Sequence, residues 1–232
     1  MKTPLTIVAM SLACWLSSPA AAAPLVRYEF NTSGSFAPTT VTPGVTASDL
    51  LKGPGVSAAY WSSGTIAANS NAISDSLTTA ISAGDYYEVQ LTPPSGQSLS
   101  LTSFSFTYAA TAGIGINYWA RYYGRSSVEG FGVNMSGATW PKEIWATANP
   151  NSATVTVTLG AGYADLTETI SFRIYMTDRG SFDGSSHQAR IDNIQVDGEV
   201  VPEPAALALT LLLPVVLSPR RDVCSARRVR DE

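Results

Sequence analysis

In the segment Tyr118-Trp119-Ala120-Arg121-Tyr122-Tyr123, large aromatic residues and a cation are packed into six positions. Read as a strand, successive side chains point to opposite faces. Trp119, Arg121 and Tyr123 then share one face, and Tyr118, Ala120 and Tyr122 share the other. The set that includes arginine is the one expected to face solvent. Such a set suits carbohydrate. Sugar rings present apolar C–H faces that stack on aromatic faces, while polar neighbours orient the hydroxyls. Trp140 and Trp145 follow at short distance and add aromatic surface. The competing reading is core packing, the usual destination of aromatic side chains in a β domain.

Catalytic chemistry is less well supplied. Between residues 23 and 200 there is one histidine, His187, expected as an exposed loop residue. A triad would need it beside Asp178 or Asp183 and a serine, and no Gly-x-Ser-x-Gly elbow is present. Glycoside hydrolysis needs two carboxyl groups about 5–10 Å apart across a cleft. Glu88, Glu129, Glu143 and Asp165 could supply them, but their spacing pairs none of them. The chain therefore reads as non-enzymatic, with no catalytic residues assigned and with polysaccharide hydrolase as the weaker alternative.

The elements that must position these residues are strands. Only 14% of residues are charged, Ser, Thr, Gly and Pro are plentiful, and the apolar runs between the two ends are short. Val155-Thr156-Val157-Thr158-Leu159 alternates with period two. So do Leu99, Leu101, Phe104, Phe106 and Tyr108, with a one-residue slip that places a bulge near Thr102-Ser103. Further strands are expected at 26–30, 86–91, 116–123, 130–135, 169–176 and 190–196. Turn residues such as Pro93-Pro94-Ser95-Gly96 and Asp183-Gly184 separate them. Residues 32–48 read as a long surface loop. Residues 72–82 are the one helical candidate, from Ile73, Leu77 and Ile81 at i, i+4 and i+8, with a loop carrying a helical turn as the equal alternative. Eight or nine short strands without a long amphipathic helix give an all-β fold, a single jelly-roll-like β-sandwich. In jelly-roll modules a structural Ca²⁺ often lies where first and last strands run side by side. Here that would bring together the oxygen donors of Glu29, Asp192 and Asn193. No other cofactor is implied.

The ends differ from this middle. Lys2, an apolar stretch over 5–16 and the small residues Ala20-Ala21-Ala22-Ala23 have the form of a signal peptide, cut between Ala22 and Ala23. The two cysteines, Cys14 and Cys224, lie in the terminal segments, so the domain itself holds no disulfide or thiol site. Residues 23–201 carry 8 Lys and Arg against 14 Asp and Glu, a net charge of −6. That excess of acid argues against nucleic acid as a partner. At the other end stand Val201-Pro202-Glu203-Pro204, an apolar run over 205–217, and Arg220-Arg221. The run is short for a transmembrane helix, and flanking residues would have to extend it. The basic residues beyond it match the positive-inside bias.

These three features in this order resemble the PEP-CTERM sorting signal of Gram-negative bacteria. The resemblance implies export, transient anchoring in the inner membrane and processing by an exosortase-type enzyme in a cell that makes extracellular polysaccharide. It also implies a sorting motif of Val201, Pro202, Glu203, Pro204, Arg220 and Arg221. Arg125-Ser126-Ser127-Val128-Glu129-Gly130-Phe131, Ser171-Phe172-Arg173-Ile174-Tyr175 and Ala189-Arg190-Ile191-Asp192-Asn193-Ile194 are similar to segments of the β-sandwich regions upstream of such tails. The organisation expected is a signal peptide over 1–22, a sandwich over 23–200 and a sorting tail over 201–232. The expected protein is an exported cell-surface or extracellular-matrix protein, with binding of extracellular polysaccharide as the alternative role.

Overall fold

Two long strands organise the molecule: β8, Gln97–Thr111, and β13, Gln188–Pro202, paired antiparallel along most of their length. The computed structural model describes residues 23–202 except 33, 57–58, 63, 70–72, 112–117, 147–150 and 179–186, and for 59–62 and 69 the backbone alone. The signal segment with Ala22, and Glu203, Pro204, Arg220 and Arg221, lie outside the described residues.

On its other edge β13 is shared. Its first residues pair with β6, Thr65–Asn69, and its later ones with β1, Ala23–Tyr28. β5, Ala59–Ser62, adds to β6, and β2, Thr40–Val41, adds to β1. β11, Asn151–Thr158, closes the far side of β8, giving a seven-stranded sheet. The second sheet has six strands. β10, Lys142–Ala146, pairs β9, Tyr118–Ser126; β9 pairs β12, Ile170–Asp178; β12 pairs β7, Tyr86–Thr92. The short β3, Thr46–Ala47, and β4, Leu51–Lys52, both pair β7. Every pair is antiparallel, and the two sheets face each other as a sandwich.

The core is what alternation requires. Phe104 and Phe106 of one sheet point inward to meet Phe172 and Tyr122 of the other. Phe104 and Phe172 stack at 4.6 Å between centroids. Tyr122 also ties the sheets by hydrogen bonds. Its hydroxyl donates to the Ala109 carbonyl at 2.5 Å and accepts from the Arg190 N–H at 2.8 Å, and burial raises its pKa. The slip read in β8 is a bulge at Thr102. Asp197 pairs with Ser103 and Gly198 with Leu101, so Thr102 is the extra residue and Leu99 and Leu101 return to the core.

Several expectations are corrected. The strand expected at 130–135 is a turn. Phe131, Val133 and Met135 alternate, but Val133 is 60% exposed. Gly130 and Phe131 adopt left-handed backbone, with φ of 62° and 58°. The segment wraps Arg125 instead, whose Nη1 donates to the Phe131 carbonyl at 2.6 Å and whose Nε donates to Asn134 at 3.0 Å. The long loop at 32–48 contains β2 and β3. Of the two readings of 72–82 the helix is the one that forms, as α1, Leu77–Ala83, capped by the Ser76 side chain and ended at left-handed Gly84. β13 continues through Val201 and Pro202, paired with Ser98 and Gln97, two residues beyond the expected domain end.

Candidate functional site

The β9–β10 edge of the second sheet carries the aromatic residues that the alternation selected. Tyr118, Ala120 and Tyr122 are buried between the sheets, and Trp119, Arg121 and Tyr123 lie on the outer face. β10 brings a matching pair. Trp145 stands directly opposite Trp119 and Glu143 directly opposite Arg121. Opposed side chains on one face are in contact range. The two indoles meet at right angles with centroids 4.5 Å apart, and the Arg121 Nε binds the Glu143 carboxylate. Both indoles are half-buried, and Glu143 is exposed. An Asn151 amide donates to the Trp145 carbonyl at 2.8 Å and anchors the edge.

Tyr123 does not join this exposed set. It shares the face but is only 9% exposed, because α1 lies over it and over Tyr175 through Ala80 and Leu77. The expected three-residue platform of Trp119, Arg121 and Tyr123 is thus corrected. Its exposed part is Trp119 and Arg121 with Trp145 and Glu143. Trp140 is also elsewhere. It stacks with Phe106, donates from Nε1 to the Met135 carbonyl at 2.7 Å and covers Gly124, where a Cβ would approach its ring to 2.8 Å.

The pairing of Trp145 with Trp119 was missed because β10 was not foreseen. The signal existed, since Glu143, Ile144, Trp145 and Ala146 alternate after Pro141.

Beside α1 runs a second feature of the same face, a groove of about 400 Å³ lined by Ile81, Tyr86, Phe131, Arg173 and Tyr175. The Arg173 guanidinium lies 4.3 Å from the Tyr86 ring centroid and 3.9 Å from that of Phe131, and it binds Glu88 at 2.6 Å. This cation is already enclosed by two rings and a carboxylate. It serves as a latch for the turn that follows β9.

Of the four carboxylates considered for hydrolysis, two, Glu88 and Glu143, are engaged by arginine. Asp165 lines a groove with Glu168 and Thr167, and Glu129 lies in the turn after β9. His187, expected exposed, is 3% exposed and packs its ring 5.5 Å from Tyr118 at the start of β13.

First and last strands do run side by side, and Glu29, Asp192 and Asn193 are neighbours. Their oxygens, however, face hydrogen-bond donors. Glu29 binds Arg27 at 2.6 Å and accepts from Asn31. Asp192 Oδ1 accepts the N–H groups of Phe30 and Asn193, and Oδ2 accepts the Asn193 amide. Burial raises the Asp192 pKa, with the Glu29 charge adding to it. No group of three or more His, Cys, Asp or Glu suited to a metal occurs among the described residues.

No family model matches the chain, and no curated protein matches it. Similar solved structures include a carbohydrate-binding module studied for specific mannan recognition. It is 12% identical, covers 78% of this chain and 99% of its own, and has a TM-score of 0.38. The K3 cleaved adhesin domain of Lys-gingipain from Porphyromonas gingivalis is 15% identical, covering 75% and 99%, with a TM-score of 0.35. The CBM22-1 xylan-binding domain of Paenibacillus barcinonensis Xyn10C is 10% identical, covering 78% and 97%, with a TM-score of 0.32. At these values the likenesses assign no ligand.

Proposed function

We propose that the chain is an exported, non-enzymatic surface protein whose sandwich binds polysaccharide at the β9–β10 edge. The observation that carries this reading is the right-angled Trp119–Trp145 pair beside Arg121 and Glu143 on the outer face. Two indole planes at right angles form an apolar corner against which a sugar ring can lie. The adjacent guanidinium and carboxylate supply a donor and an acceptor for its hydroxyls. Support for a non-catalytic role comes from Glu88 and Glu143, each of which is already engaged by an arginine.

The terminal segments supply the cellular part of the proposal. Export begins at the signal peptide. The PEP-CTERM-like tail holds the precursor in the inner membrane until an exosortase-type enzyme releases it to the surface or matrix. No helix among the described residues is long and apolar enough to cross a membrane, and the apolar run at 205–217 lies outside them.

Affinity electrophoresis in polysaccharide-containing gels tests the binding reading. The purified protein should be retarded by at least one polysaccharide. Trp119→Ala and Trp145→Ala should each abolish most of the retardation while the protein stays folded. Undiminished retardation of both variants would place binding elsewhere.

A further inference from the structure

Resting on the glycan-binding reading of the β9–β10 edge, a further step concerns which glycans it admits. We propose that this edge accepts uncharged polysaccharides and turns away polyuronates, with Glu143 as the discriminating residue.

Arginine beside an aromatic surface would ordinarily favour an acidic sugar, because its planar fork matches a carboxylate. Here Arg121 is already engaged. Glu143 stands directly across the strand pair and takes its Nε. Lys142 alternates onto the other face of β10, opposite Tyr122, so it does not replace Arg121 as a free cation on this face. A uronate arriving at the Trp119–Trp145 corner therefore meets a carboxylate that is exposed and nearer to Arg121 than any ligand group can start.

The pair itself is a weak structural device. The side chains of Arg121 and Glu143 are 24% and 32% exposed, and ion pairs this open contribute little to stability. Its consequence for recognition is larger, since it leaves the corner with no net charge of its own. Around it, residues 23–201 carry 8 basic against 14 acidic side chains, net −6. That field opposes the approach of any polyanion and is indifferent to a neutral polymer. Neutral sugars lose nothing by this arrangement. Their rings contact the indoles through apolar faces, and their hydroxyls can donate to Glu143 or accept from Arg121.

The test uses the purified protein against two neutral polymers, hydroxyethylcellulose and galactomannan, and two polyuronates, polygalacturonate and alginate. Binding to a neutral polymer, unchanged by added salt, is expected, with much weaker binding to either polyuronate. Glu143→Gln should raise polyuronate binding by about two- to fivefold, the scale of one screened surface charge. That gain should shrink as salt is added.

Wild-type protein that binds a polyuronate as tightly as a neutral polymer, in a manner lost in Trp119→Ala, would overturn the discrimination and leave the site standing. Protein that binds none of the four polymers would remove the site and this inference with it. A folded Glu143→Gln variant with no gain would show that Glu143 is not the discriminating residue. Should that variant fail to fold, the wild-type comparison of neutral and acidic polymers decides alone.

Discussion

Trp119 and Trp145 pack edge to face across β9 and β10. An edge-to-face aromatic pair is worth about 0.5–1.5 kcal/mol beyond the area it buries. A double-mutant cycle with both indoles replaced by alanine should return a coupling of that size in urea unfolding. A coupling near zero would mean that the rings do not hold each other. Tyr122 is a stricter case, since its hydroxyl lies between the sheets and serves the Ala109 carbonyl and the Arg190 N–H. Tyr122→Phe keeps the ring and strands both groups. It should cost about 1–3 kcal/mol, the penalty for unsatisfied buried partners. A loss well under that range would show that water or a backbone shift replaces the hydroxyl.

Among elements, α1 decides how much of the second sheet is open. Seven residues would not form a stable helix in isolation. This one is held by Ser76 at its start, by left-handed Gly84 at its end and by Ala80 packed on Tyr123 and Tyr175. Ser76→Ala removes the bond from the Thr79 N–H and should lower stability by about 0.5–2 kcal/mol in denaturant unfolding. Unchanged stability would show that packing alone keeps the helix in place. The β13 bulge is the other element with a measurable consequence. Asp192 and Gln195 pair with Thr107 and Ser105, so β13 carries an extra residue, and Asn193 takes a φ of 46°. Asp192, half-buried there, has its pKa raised above its ordinary value of 3.8 by burial. A raised folded value means that the native state holds this proton more tightly than the unfolded chain. Ionised Asp192 therefore opposes folding at neutral pH, and the opposition fades as pH falls through the raised value towards 3.8. Asp192→Asn should be at least as stable as wild type at pH 7 and should lose its advantage in acid. Parallel pH–stability curves for the two proteins would refute the assignment. Millimolar calcium should leave the wild-type melting temperature unchanged, whereas a rise would mean that Glu29, Asp192 and Asn193 rearrange around the ion.

The end of the sandwich and the start of the proposed sorting motif coincide. Val201 and Pro202 are the last residues of β13, paired with Ser98 and Gln97. On the sorting reading, replacing Pro202, Glu203 and Pro204 with alanine should trap a full-length precursor in the inner-membrane fraction. Normal release of that variant would exclude the motif as a sorting signal.

The all-β class, the face assignment within 118–123 and the Thr102 bulge were legible from the residues, because all three follow from the period-two geometry of a strand. Alternation states which side chains share a face. It does not state what covers that face or which strand lies alongside. The same alternation at 130–135 misled, since Arg125 captures the Phe131 carbonyl and the chain turns instead of pairing. Only the tertiary structure placed α1 over Tyr123, buried His187 against Tyr118, and set Trp145 and Glu143 opposite Trp119 and Arg121. These are contacts between segments, and a local pattern carries no information about its distant neighbours. The strand faces were therefore readable from local sequence, while the composition of the exposed edge was decided by which elements packed upon it.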